Sequence, residues 1–204
     1  AIGLINFEHS LIVNFDNDIV IDLSEGIETM KGSCSHGHHH HAHGIDPHTW
    51  TSPRALKQMV LTIERNIMKS YPDSAKYSNA ASALIERIEV LDNHCKEAIE
   101  RSNVKAILIY HPAYTYYARD YDIRQIAIEH DGKEPSPRQL TSIIEQATEH
   151  DIHAILIQPQ YSHDKVRSLA KECDMEIIDI DPLAKDILSE IERVTTIICR
   201  SDEQ

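Results

Sequence analysis

No Cys-x-x-Cys pair occurs in this chain. Its four cysteines, Cys34, Cys95, Cys173 and Cys199, stand far apart, which weakens a zinc-ribbon or thioredoxin-like reading. No apolar run reaches the ~18 residues that a membrane-spanning helix needs. Basic residues are in deficit: 20 Lys and Arg face 33 Asp and Glu, for a formal net charge of −13. With no basic segment to neutralise phosphates, nucleic acid is excluded as a partner, and so is an anionic-lipid patch. A signal peptide is also lacking, and the chain opens with Ala1 rather than Met. Ala1–Ile5 reads like a buried strand already inside a domain, so further sequence is expected upstream and the missing signal says nothing about export.

Histidine is what the chain has in excess. There are 14, against 2 Phe and 1 Trp, and His36, His38, His39, His40, His41, His43 and His48 crowd into one short region. Residues 31–44 are polar and of low complexity, and cannot pack a core. They read as a mobile loop and a weak, low-specificity metal collector, which Cys34 joins. An expression tag is the duller explanation, but a tag is normally terminal.

The periodicities predict an α/β protein. Ala1–Ile5 and Asp18–Leu23 are candidate strands with a helix candidate Phe7–Phe15 between them, an incomplete N-terminal lobe. Ser52-Pro53 predicts a capped helix with Leu56, Val60, Ile63 and Ile67 as its apolar stripe. Tyr71-Pro72-Asp73 breaks it. A second helix over roughly 74–101 carries Tyr77, Leu84, Leu91 and Ala98, joined by Ala81, Ile88 and Cys95. At 1.5 Å per residue it spans about 40 Å, long enough to join two lobes.

From Val104 onward, strand candidates Lys105–Tyr110, Gln125–Glu129, Ala154–Gln158 and Glu176–Ile180 alternate with helix candidates Ala113–Tyr121, Pro137–His150, Asp164–Glu172 and Leu183–Cys199. Such alternation predicts a four-stranded parallel sheet with helices on both faces. The expected organisation is a partial N-terminal lobe (1–72), a linking helix (73–102) and a C-terminal α/β lobe (103–204).

Open parallel sheets bind ligands beyond the carboxyl ends of their strands. Three of the four strands deliver a candidate metal ligand there: His111, Glu129 and Asp181. His48, just before a helix start, is the corresponding candidate in the first lobe. Two imidazoles and a carboxylate suit a compact zinc shell, whereas an all-carboxylate site would favour Mn²⁺. Asp181 precedes Pro182 and so also reads as a helix cap. Cys173 and Cys199, on consecutive helices, read either as a disulfide or as two buried thiols.

These residues carry a resemblance. Gly44-Ile45-Asp46-Pro47-His48-Thr49-Trp50-Thr51-Ser52-Pro53 resembles the Asp-Pro-His-x-Trp-x-x-Pro signature of the zinc/manganese ABC-importer solute-binding proteins, the ZnuA-like family. His111-Pro112-Ala113-Tyr114 with Arg119-Asp120-Tyr121 resembles that family's second His motif. Glu134-Pro135-Ser136-Pro137 resembles its Glu-Pro-Ser-Pro turn, and Asp181-Pro182-Leu183 its last Asp motif. The resemblance implies two α/β lobes joined by a long helix, with His48, His111 and Asp181 as metal ligands; Glu129, from its strand-end position alone, is the substitute for Asp181. The family's usual first ligand is a His upstream of the strand that begins this chain; no residue here matches it, and His9, after that strand, is not assigned the role.

The resemblance further implies a monomer that captures Zn²⁺ (Mn²⁺ as the alternative) in the cell envelope, periplasmic or surface-anchored, and passes it to the permease of an ABC importer. It implies no enzymatic activity. Its rivals are a zinc-dependent hydrolase on the same three ligands, for which no His-Glu-x-x-His motif is present, and a surface adhesin of the same fold.

Overall fold

The structure is a computed structural model that describes residues 15, 20–31, 44–130 and 132–200. The expected strand Ala1–Ile5, all but the last residue of the expected helix Phe7–Phe15, and nearly all of the His-rich loop lie outside the described residues. The chain divides into two units, Ala1–Asn93 and His94–Gln204.

In the first unit the expected strand Asp18–Leu23 does not form across its described part, residues 20–23. The Asp22 carboxylate instead accepts from the Ser24 N–H and hydroxyl at 2.8 and 2.7 Å, which closes a turn rather than extending a strand. Gly26 leaves that turn at φ +81°, a conformation suited to glycine. The chain then runs to a single antiparallel bridge, Lys31 to Ile45, and the Asp46 N–H donates to the Met30 carbonyl at 2.8 Å.

Helix α1 (Pro53–Ser70) starts as its sequence predicts: Pro53 is the first helical residue and the Ser52 hydroxyl accepts from the Ala55 N–H at 3.2 Å. Its most buried stripe is Ala55, Met59 and Thr62. The expected Leu56, Val60, Ile63 and Ile67 are only half-buried, because the small and polar residues next to them pack deepest. Helix α2 runs unbroken from Ala75 to Ser102. It buries Ile88, Leu91, Cys95 and Ile99 at spacings of three and four, while the expected Tyr77 is exposed and pairs with Tyr71 at 5.7 Å. Within the first unit, Arg54–Asp92 and Lys57–Glu89 ion pairs tie α1 to α2.

The second unit holds a parallel sheet: β1 (Ala106–Ile109), β2 (Arg124–Ala127), β3 (Ala154–Ile157) and β4 (Glu176–Asp179), in the order β2-β1-β3-β4. Between and after them come α3 (Thr115–Asp120), α4 (Pro137–Glu149), α5 (Asp164–Glu172) and α6 (Ile187–Cys199). The chain moves one way from β1 to β2 and the other way to β3 and β4. Right-handed crossovers therefore place α3 on one face and α4 and α5 on the other. Alternate residues confirm the second face: Ala106, Leu108, Tyr110, Ile126, Ile128, Ile155 and Ile157 join Ile143 and Ala147 of α4 and Val166, Leu169 and Ala170 of α5 in one buried cluster. On the opposite face the Thr195 hydroxyl of α6 lies 2.7 Å from the Tyr117 hydroxyl of α3 and 3.2 Å from Cys95 Sγ.

One device returns the chain to the sheet repeatedly. Asp122, Asp151 and Asp174 take φ of 54°, 52° and 53° just past α3, α4 and α5. The next N–H in each case reaches back five residues, Ile123 to Ala118, Ile152 to Ala147 and Met175 to Ala170, at 3.0, 2.9 and 2.8 Å. This is the Schellman arrangement, with Asp in the left-handed position usually held by glycine.

Two helix starts differ from the sequence expectation by two residues or more. Helix α3 begins at Thr115 rather than Ala113, because the Ala113 N–H turns back to the His111 carbonyl and the Tyr114 N–H is taken by the Gln125 side chain. Helix α6 begins at Ile187 rather than Leu183, because Asp181 holds the Leu183 and Ala184 N–H groups in a turn and Asp186 is the cap. The disulfide alternative is set aside. Cys173 packs against the α4/α5 cluster and Cys199 ends α6, beside Tyr117 on the other face, and the two are not joined.

Two measurements check this packing. Ile155 is fully buried in β3, and Ile155→Ala is expected to destabilise the protein by about 2–5 kcal/mol in urea unfolding. Peptide mapping after treatment with oxidised glutathione should show no Cys173–Cys199 link; finding one contradicts their placement on opposite faces.

Candidate metal centre

Each unit presents one imidazole held by a buried carboxylate. In the first unit Pro47 separates Asp46 from His48. The Asp46 carboxylate curls over the turn, so that one oxygen accepts the His48 N–H at 2.8 Å and stands 2.7 Å from His48 Nδ1. Asp46 is 4% exposed, and a carboxylate that deep must be satisfied by such donors. The Thr51 hydroxyl donates to the His48 carbonyl at 2.8 Å, and Trp50 lies 5.5 Å from the imidazole. Because a carboxylate only accepts, the arrangement puts the proton on Nδ1 and leaves Nε2 as the metal-competent nitrogen.

The second unit repeats the chemistry on a sheet. Ile109 pairs with Ala127 and with Leu156. Carrying that register two residues further sets His111 level with Glu129 on one side and Gln158 on the other. Accordingly, Glu129 Oε2 stands 2.7 Å from His111 Nδ1, and the other Glu129 oxygen accepts the Gly132 N–H. Gln158 clamps the His111 backbone: its Nε2 donates to the His111 carbonyl at 2.7 Å and its Oε1 accepts the His111 N–H at 3.3 Å. Tyr161 lies 5.8 Å from the His111 ring and 4.7 Å from Tyr110. Its phenol is pushed up by burial and then by the Glu129 carboxylate, so it stays neutral.

Asp181 stands at the end of β4, two strands from His111, which is about 10 Å of sheet. One carboxylate oxygen accepts the Leu183 N–H at 3.0 Å. Its own N–H donates to Glu190 Oε1 at 2.7 Å, and Arg193 grips both Glu190 oxygens at 2.6 and 2.8 Å. The buried Tyr114 phenol lies in the field of this group; burial first, then Glu190, raises it strongly. Within each unit, among the described residues, no three His, Cys, Asp or Glu side chains gather into a ready cage. His36, His38, His39, His40, His41 and His43 lie outside the described residues. A cavity of about 350 Å³ opens at the other end of the sheet, lined by Asn103, Lys105, His150 and His153 among others, and takes no part in this geometry.

The ZnuA family model, described as zinc-uptake complex component A, periplasmic, matches residues 3–193. The chain belongs to the ZnuA family. Among ZnuA relatives, the zinc-binding lipoprotein AdcA of Streptococcus pneumoniae is 30% identical over 164 residues, which cover 79% of this chain and 33% of AdcA. The chain thus spans about a third of the length of that relative. A solved ZnuA, a 138–173 deletion mutant with zinc bound, superposes with a TM-score of 0.82 at 26% identity, covering 100% of this chain and 77% of that one. A laminin-binding adhesin of Streptococcus agalactiae, 20% identical with a TM-score of 0.79 over 95% of this chain and 77% of its own, shares the fold.

Four residues of this geometry were not assigned a role by sequence reasoning: Asp46, Gln158, Tyr161 and Glu190. Only Asp46 has a local signal, since Asp two residues before a His is placed to accept its N–H. Glu190 offers a direct check on the Asp181 turn. Glu190→Ala strands the Asp181 N–H and removes the carboxylate partner of Arg193, which keeps its bond to the Asp179 carbonyl, and is expected to cost about 1–3 kcal/mol in denaturant unfolding. Glu190→Gln, which keeps the oxygen facing Asp181, should cost less.

Proposed function

We propose that the protein captures Zn²⁺ in the cell envelope, as a monomer, and delivers it to the permease of an ABC importer. One observation carries this reading: His48 and His111 each have Nδ1 at 2.7 Å from a buried carboxylate, so each offers Nε2 to a metal. Metal-binding histidines are regularly held this way, and the outer carboxylate fixes both tautomer and ring orientation. Asp181 is the proposed third ligand. Glu129, which sequence reasoning kept as a substitute ligand, has both oxygens engaged by His111 and Gly132, so we assign it the orienting role.

The donor set favours zinc over manganese, because imidazole suits Zn²⁺ and carboxylate or water suits Mn²⁺. It also favours binding over hydrolysis. A zinc hydrolase needs a carboxylate or imidazole beside the metal-bound water as general base. Here the carboxylates nearest the two imidazoles are already committed to Nδ1. The names of AdcA and of the zinc-bound ZnuA structure agree with zinc as cargo. Among the described residues no helix is long and apolar enough to cross a membrane, consistent with the permease being a separate chain.

Zinc titration in competition with a chelator tests this, on protein lacking residues 32–43 so that weak loop sites do not contribute. His48→Ala and His111→Ala should each weaken zinc binding at least tenfold, in line with the loss of one imidazole from a structural shell. Unchanged isotherms for both variants, or Mn²⁺ binding tighter than Zn²⁺, refute the proposal.

A further inference from the structure

Three of the four parallel strands end in a candidate ligand or its carboxylate; β3 ends in none. We infer that the turn after β3, Gln158-Pro159-Gln160-Tyr161, is the positioning element for His111, acting through Gln158 on its backbone and Tyr161 on its ring. The inference rests on the reading of His111 as a zinc ligand.

Gln158 is 2% exposed, so its amide must find partners inside the protein. It spends both ends on one residue, with its Nε2 on the His111 carbonyl and its Oε1 on the His111 N–H. A side-chain amide on both backbone groups of a neighbouring residue imitates a further rung of sheet. It extends the β1/β3 ladder by side chain where the strands themselves stop at Ile109 and Ile157. The His111 backbone therefore cannot twist away from the row it shares with Glu129.

Tyr161 completes the hold. The turn closes through its N–H to the Gln158 carbonyl at 3.0 Å, so the two side chains are fixed relative to each other. Its ring lies against Tyr110 at 4.7 Å and tilts 31° to the imidazole of His111 at 5.8 Å. Its phenol neighbours the Glu129 carboxylate that orients the same imidazole. Lys165, the second residue of α5, sits 5.7 Å over the Tyr110 ring and pairs with Glu134 at 3.1 Å. His111 is thus held at its backbone, at Nδ1 and beside its ring.

The test uses the full chain with Gln158→Leu, Tyr161→Ala and Tyr161→Phe. The ring nitrogens of His111 are read by ¹⁵N–¹H correlation in the zinc-free protein, and zinc affinity by chelator competition. Wild type should show His111 as a single tautomer protonated at Nδ1. Gln158→Leu and Tyr161→Ala should shift it towards a tautomer mixture and weaken zinc about tenfold, the scale of outer-shell changes at metal sites. Tyr161→Phe keeps the ring and should restore most of both. If either variant folds with wild-type His111 nitrogen shifts, the positioning role of that residue is refuted, whatever its zinc affinity. If the shifts move as expected but His111→Ala binds zinc as tightly as wild type, the turn positions His111 and it is the zinc-ligand reading that fails.

Discussion

A carboxylate buried beside an imidazole is expensive unless the two meet, and both halves of this protein depend on such a meeting. Asp46 and Glu129 are each almost fully buried, and each stands 2.7 Å from a histidine Nδ1. Left without a partner, either would carry an uncompensated charge in an apolar setting. Joined, each pair holds the imidazole proton on Nδ1, which makes Nε2 the nitrogen with a lone pair for a metal. The hydrogen bond that satisfies the acid also fixes the orientation of the imidazole, as outer carboxylates do for metal-binding histidines.

The two units reach this end by different local means. In the first unit a short span suffices, because Asp-Pro-His lets the Asp side chain accept from a residue two positions on. In the second the partners are 18 residues apart, and a parallel ladder brings them level. The two central strands bury apolar runs, Ala106–Ile109 in β1 and Ile155–Ile157 in β3, and His111 and Gln158 follow them at the carboxyl edge. That edge is where open parallel sheets gather their chemistry. The Asp residues in left-handed turns after three helices keep the returns to the sheet short and regular.

Much of the fold was legible because it follows from periodicity. The four strands and the long helix appear within a residue or two of their expected bounds, and Asp164–Glu172 matches at both ends. What was not legible depends on partners outside the local window. Leu56 and its stripe looked like the buried face of α1, yet Ala55, Met59 and Thr62 lie deeper. The Leu183 helix start was moved to Ile187 by the hydrogen bonds of Asp181. Register is the clearest case. A strand pattern marks His111, Glu129 and Gln158 as edge residues, but only the pairing of Ile109 with Ala127 and Leu156 makes them neighbours. Periodicity alone therefore offers Glu129 only as an alternative ligand and carries no sign that its oxygens face His111 and Gly132.

X-ray absorption at the zinc K edge, on zinc-loaded protein without residues 32–43, tests most directly whether His48 and His111 are zinc ligands. Histidine ligation should appear as a nitrogen and oxygen shell near 2.0–2.1 Å with outer-ring imidazole scattering, free of sulfur. His48→Ala and His111→Ala should each reduce the imidazole scattering. A sulfur shell, or a spectrum that neither substitution alters, would contradict the account.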